Sequence, residues 1–67
     1  MAIPEKAFLR RAQVERLTGF SVSTLYRLAK SGDFPKPVKI GARASGWIAG
    51  EVEAWIEARV AASREVA

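Results

Sequence analysis

A glycine at position 19 and a serine at position 21 stand between two stretches of helical periodicity, and this junction limits what the chain can fold into. Ahead of it, Arg10 through Thr18 places Val14 and Leu17 three residues apart with Ala12 nearby, while Gln13, Glu15 and Arg16 face elsewhere. Gly19 supplies the left-handed geometry that ends such a helix, and Phe20 can pack back beneath the turn. Ser21 carries the side-chain oxygen that an N-cap needs, because it can accept from an orphan amide one turn in. From Ser21 to Lys30, stepping about 100° per residue separates two faces. Val22, Leu25, Leu28 and Ala29 fall together; Ser23, Arg27 and Lys30 fall opposite, flanked by Thr24 and Tyr26. Helix, glycine-containing turn and second helix is the helix-turn-helix pattern.

Downstream, Ser31-Gly32-Asp33 is a second glycine stop, and the two prolines of Phe34-Pro35-Lys36-Pro37 impose an extended path. Phe34 is the anchor expected to tack that path to the core. Val38-Lys39-Ile40 alternates as a half-buried strand does. Gly41 to Gly46 reads as a loop of small residues carrying one long side chain, Arg43, and Trp47-Ile48 can pair back as the return strand. This hairpin, with a cation at or near its tip, reads either as a wing or as a solvated turn. A last helix is expected from about Gly50 to Ser63, with Val52, Trp55, Ile56 and Val60 on one face beside the stem of Arg59. Its first turn holds Glu51 and Glu53, which suits the helix dipole. Ala49-Gly50 makes a poor N-cap, so this start is expected to fray. Ala7-Phe8-Leu9 is long enough for a few residues of strand, and the tail after Ala62 is expected to be loose.

Sixty-seven residues make a single domain, 1–67, with an ordered part of about 7–62 and a small core. The chain has neither cysteine nor histidine. That removes the usual soft metal ligands and nucleophile-activating bases, so the composition argues against an enzyme and calls for no metal or cofactor. The net charge is +4, unevenly spread: residues 1–50 carry nine Lys or Arg against three acidic residues, and residues 51–67 carry two against four. A basic amino-terminal part points to a polyanionic partner. Met1-Ala2-Ile3-Pro4-Glu5-Lys6 lacks the pattern of a secretory signal, and no stretch approaches the roughly 20 apolar residues of a membrane span. No membrane partner and a cytoplasmic, nucleoid-associated location are therefore expected.

The run Leu17-Thr18-Gly19-Phe20-Ser21-Val22-Ser23-Thr24-Leu25-Tyr26-Arg27 is joined to Gly32-Asp33-Phe34-Pro35-Lys36-Pro37-Val38-Lys39-Ile40-Gly41-Ala42-Arg43, then to Gly46-Trp47 and Glu51-Val52-Glu53-Ala54-Trp55-Ile56. In that order and spacing these strongly resemble the AlpA family of phage and prophage transcriptional regulators, from about Phe8 to Arg59. The family is similar to MerR DNA-binding domains and to phage excisionases. The resemblance implies a mainly α fold with a small β-hairpin, a winged helix-turn-helix. It places Ser23, Thr24, Tyr26 and Arg27 on a helix entering the major groove, Arg43 on the wing, and Trp47, Val52 and Trp55 in the core. At Ala49-Gly50 the chain departs from the polar cap that the family more often has.

The expected partner is double-stranded DNA. Arg27 has a fork that can bond guanine O6 and N7 together, or it grips a phosphate instead. Ser23 and Thr24 are short enough to suit phosphates or a thymine methyl, and Tyr26 is shared between a phosphate contact and core packing. Lys30, Lys36 and Lys39 add diffuse phosphate attraction, and Arg43 approaches the backbone or the neighbouring minor groove. One module of this size buries about 600–1,000 Å² of protein surface on DNA, so copy-to-copy contacts or a homodimer are expected to supply affinity. An excisionase-like factor, bending DNA at attachment sites beside an integrase or recombinase, uses the same chemistry as a transcriptional regulator. A module whose basic face docks an acidic protein is the alternative from another class.

Overall fold

The computed structural model describes residues 7–66, so the leader Met1–Lys6 lies outside the described residues. The elements run β1 (Phe8–Leu9), α1 (Arg11–Thr18), α2 (Val22–Ser31), β2 (Val38–Gly41), β3 (Ala44–Ile48) and α3 (Ala49–Val66). They form three helices around a three-stranded antiparallel sheet of order β1-β3-β2. The fold is mainly helical with a hairpin, compatible with a winged helix-turn-helix.

Both glycine stops have the geometry read from the sequence. Gly19 lies at φ 79° and Gly32 at φ 89°, where a side chain strains the backbone. After α2, the Gly32 N–H donates to Ala29 and the Asp33 N–H to Leu28, a Schellman closure that satisfies two terminal carbonyls. Between α1 and α2, the Thr18 hydroxyl donates to the Val14 carbonyl at 2.8 Å and accepts from the Phe20 N–H at 3.2 Å, wiring the turn through one side chain. Ser21 caps α2, its Oγ accepting from the Thr24 N–H at 3.3 Å.

The core consists of Leu9, Val14, Leu25, Phe34, Trp47, Ala49 and Val52, with Ala7, Phe20, Leu28, Trp55 and Ile56 packed around it. Phe34 meets both tryptophans edge-on, at 6.5 Å from Trp47 and 4.9 Å from Trp55. Each indole also donates to the connection that carries Phe34: Trp47 Nε1 to the Pro35 carbonyl at 2.9 Å, and Trp55 Nε1 to the Asp33 carbonyl at 2.6 Å. Two indole hydrogen bonds thereby tie down a segment without regular structure.

The structure corrects several boundaries. The loop read as Gly41–Gly46 is a turn at Ala42-Arg43, because Ala44, Ser45 and Gly46 already belong to β3. Gly41 faces Ala44 with a register shift between Lys39 and Gly41, and Ile40, at the bulge, is 38% exposed with its side chain lying over Gly46. The last helix begins at Ala49 and continues to Val66, past the Ser63 expected from its apolar pattern. Its start is buried and its first amide donates to the Ala7 carbonyl at 2.8 Å, extending the β1–β3 pairing and holding an end that was expected to fray. Leu17 and Val60, both on apolar faces of their helices, are exposed, because among the described residues no neighbouring element covers α1 at its end or α3 beyond Ile56.

Candidate nucleic-acid interface

On α2 the division between buried and exposed residues follows the helical period. Leu25 and Ala29 are buried and Val22 and Leu28 half-buried, while Ser23, Arg27 and Lys30 are exposed on the opposite side. Thr24 is half-buried, and its hydroxyl lies 3.1 Å from Ser21 Oγ, so its polar group is engaged with the cap. Tyr26 sits at the border: it is 44% exposed, yet its ring packs 5.6 Å from that of Trp47. The indole is fully buried and fixes the ring from beneath, leaving the remainder of the phenol at the surface.

Arg43 occupies the two-residue tip of the β2–β3 hairpin and is exposed. The folded chain brings it to Tyr26. Together with Arg10, Arg11, Ala12 and Ser45, these two residues line a cleft of about 340 Å³ between the start of α1, α2 and the hairpin. Lys39 faces Ser45 across the β2–β3 ladder, and directly opposed residues of an antiparallel pair share a sheet face, so its ammonium flanks the same side of the hairpin. Lys36 is not part of this group. It lies beside a separate groove with Pro35, Val38, Glu51, Ala54 and Trp55, next to the acidic start of α3.

Arg10, Arg11 and Ser45 were not among the residues singled out from the sequence. Arg10 and Arg11 do carry a signal, since they stand at the cap and first position of α1, whose first turn has no acidic residue. Two cations at the positive end of a helix run against the dipole, so helix stability does not explain them. The sequence pattern alone places Ser45 in a loop, and only the register of β3 turns it toward the cleft.

Residues 7–60 match the family model described as Prophage CP4-57 regulatory protein (AlpA). The chain belongs to the AlpA family. It is also similar to a protein of Enterobacteria phage P4 described as Uncharacterized protein ORF88, with 41% identity over 59 residues, covering 88% of this chain and 67% of the phage protein. The match to the AlpA model spans every element from the residue before β1 into the exposed part of α3. AlpA membership makes the chain a phage or prophage regulatory protein. No helix among the described residues is long and apolar enough to cross a membrane, and no group of potential metal ligands occurs among them.

Proposed function

We propose that this AlpA-family chain regulates transcription by binding double-stranded DNA in a sequence-specific manner. In this reading α2 lies in the major groove, α1 braces it across the backbone, and the hairpin bearing Arg43 reaches the backbone or the adjacent minor groove. The observation that carries it is the two-sidedness of α2: Ser23, Arg27 and Lys30 project from a helix whose other side is fixed in the core by Leu25 and Ala29. Arg27 is the candidate for base readout, Ser23 for a short contact near the helix start, and Lys30 and Lys39 for phosphate attraction. Thr24 contributes through the cap that orients α2, and Lys36 contributes least because it lies on a separate groove at the acidic start of α3.

Selection of bound sequences from random duplex DNA tests this directly. The expected result is a short motif, several copies per bound fragment, and affinity falling with salt at a log–log slope of about −0.9 per phosphate neutralised. Arg27→Ala should weaken binding to the selected motif by ~1–3 kcal/mol and relax preference at one position. Recovery of no motif, or binding unchanged by both salt and Arg27→Ala, would count against the assignment and favour docking to an acidic protein. Selected sites arrayed at attachment sequences rather than beside promoters would replace regulation with recombination control.

A further inference from the structure

We propose that the cleft between α1 and the hairpin is a clamp for one backbone phosphate of duplex DNA, closed by Arg10, Arg11 and Arg43 with the hydroxyls of Tyr26 and Ser45; the proposal rests on the DNA-binding reading above. Three observations converge on it. First, guanidinium-bearing residues from the start of α1 and from the hairpin tip line one cleft, and among the described residues no acidic side chain lines it. Like charges gathered without a counter-charge repel one another, and an anion placed between them relieves that repulsion.

Second, Arg10 and Arg11 stand where the dipole of α1 is already positive. The amides of Arg11 and Ala12 precede the first residue that can bond back within the helix, so they add donors beside the same cleft. Third, the cleft is polar, larger than a lone phosphate, and held on two sides. Tyr26 is held on the buried Trp47 ring, and Ser45 is held in register by the β2–β3 ladder. A volume of about 340 Å³ admits a phosphodiester with the beginnings of its two sugar arms. Its two anionic oxygens can accept a fork from one guanidinium and single N–H bonds from the others.

The clamp assigns Arg43 to the backbone rather than to the minor groove, and it sets the spacing between hairpin and α2 on the duplex. It carries no base information itself, so it positions the reading helix without adding to the motif.

The test uses the full chain and a duplex bearing the selected motif, with one phosphate at a time replaced by an uncharged methylphosphonate. At one position the wild-type chain should lose about tenfold or more in affinity. The triple variant Arg10→Gln/Arg11→Gln/Arg43→Gln should bind the unmodified duplex more weakly by a similar factor and should show no further loss at that position. Its salt slope should fall by about 0.9, one phosphate, rather than by about 2.7, three independent phosphates. Random-duplex selection with the variant should return the same motif. Tyr26→Phe, which keeps the ring on Trp47, should show a smaller loss at the same phosphate.

Two results overturn the clamp while leaving the DNA reading intact: equal sensitivity of wild type and triple variant at every methylphosphonate position, or a changed A·T preference in the variant, which would put Arg43 in the minor groove. Failure of the wild type to bind any duplex, with inorganic pyrophosphate still perturbing tryptophan fluorescence in an arginine-dependent way, overturns both and leaves a site for free phosphate groups.

Discussion

Helices α2 and α3 are bounded in opposite ways. α2 has a serine cap at one end and a Schellman glycine at the other, and both lie within a few residues of sequence. α3 begins at a buried alanine whose amide bonds to the Ala7 carbonyl, more than forty residues earlier in the chain, and its residues 57–65 are all exposed. The shorter helix is therefore placed by its own residues, and the longer one by the sheet from which it emerges. That division matches their charge. The exposed side of α2 carries Arg27 and Lys30, while α3 bears Glu51, Glu53, Glu57 and Glu65 and packs the core with Val52.

The residue on which both helices depend is Trp47, so its loss should erase the distinction. Tyr26 of α2 and Phe34 of the connection both pack on its ring, and its indole N–H holds the Pro35 carbonyl. Trp47→Ala should cost ~3–5 kcal/mol, most or all of the stability of a domain this short. Circular dichroism of the variant should show loss of helix from α2 and α3 together. Persistence of either helix would mean that it folds without the shared wall.

Gly46→Ala should separate the two helices. Gly46 is buried in β3, and an added Cβ would lie 2.6 Å from the Ile40 side chain and 2.8 Å from the Leu9 carbonyl oxygen. Ile40 can move; the backbone of β1 cannot move without disturbing the pairing that continues into the first amide of α3. We expect a cost of ~1–3 kcal/mol, with amide exchange accelerating at Ala49 more than within α2. Uniform acceleration across both helices would show that the sheet supports them equally.

Ser21→Ala addresses the other side of the contrast. Removing the hydroxyl leaves the Thr24 amide without its acceptor and should cost about 1 kcal/mol, lowering the melting temperature by about 4–8 °C. Amide exchange should rise at the start of α2 and stay unchanged at α3. Because Thr24 also faces this cap, the variant should weaken DNA binding slightly through the placement of α2.

The parts legible in sequence are those whose causes are local. Gly19, Ser21 and Gly32 act through backbone geometry and a single hydrogen bond, and the folded chain has each where its chemistry places it. The proline-bounded connection and its Phe34 anchor were legible for the same reason. What was not legible depends on residues distant in the chain. The start of α3 is held by Ala7, the turn at Ala42-Arg43 is tightened by the register of β3 against β2, and Leu17 is exposed because no other described element packs over it. The same limit applies to the candidate site. Ser23, Arg27 and Lys30 follow from the period of one helix, whereas the meeting of Arg10 and Arg11 with Arg43 requires the hairpin to fold back toward α1.

The smallest expected effect is also the sharpest check on how far the core extends along α3. Val52 and Val60 are the same side chain on one helix, eight residues apart, and both belong to its apolar pattern. Val52 is 0% exposed and packs with Trp47 and Phe34 in the core; Val60 is 41% exposed. Val52→Ala removes fully buried methyl groups and should cost about 1.5–3 kcal/mol. Val60→Ala uncovers little, and alanine's higher helix propensity offsets what is lost, so its effect should stay within about 0.5 kcal/mol of zero. Urea unfolding of the two variants measures both. A cost at Val60 approaching that at Val52 would mean that the outer turns of α3 are covered in solution by another copy of the chain, and the cost should then fade as the protein is diluted.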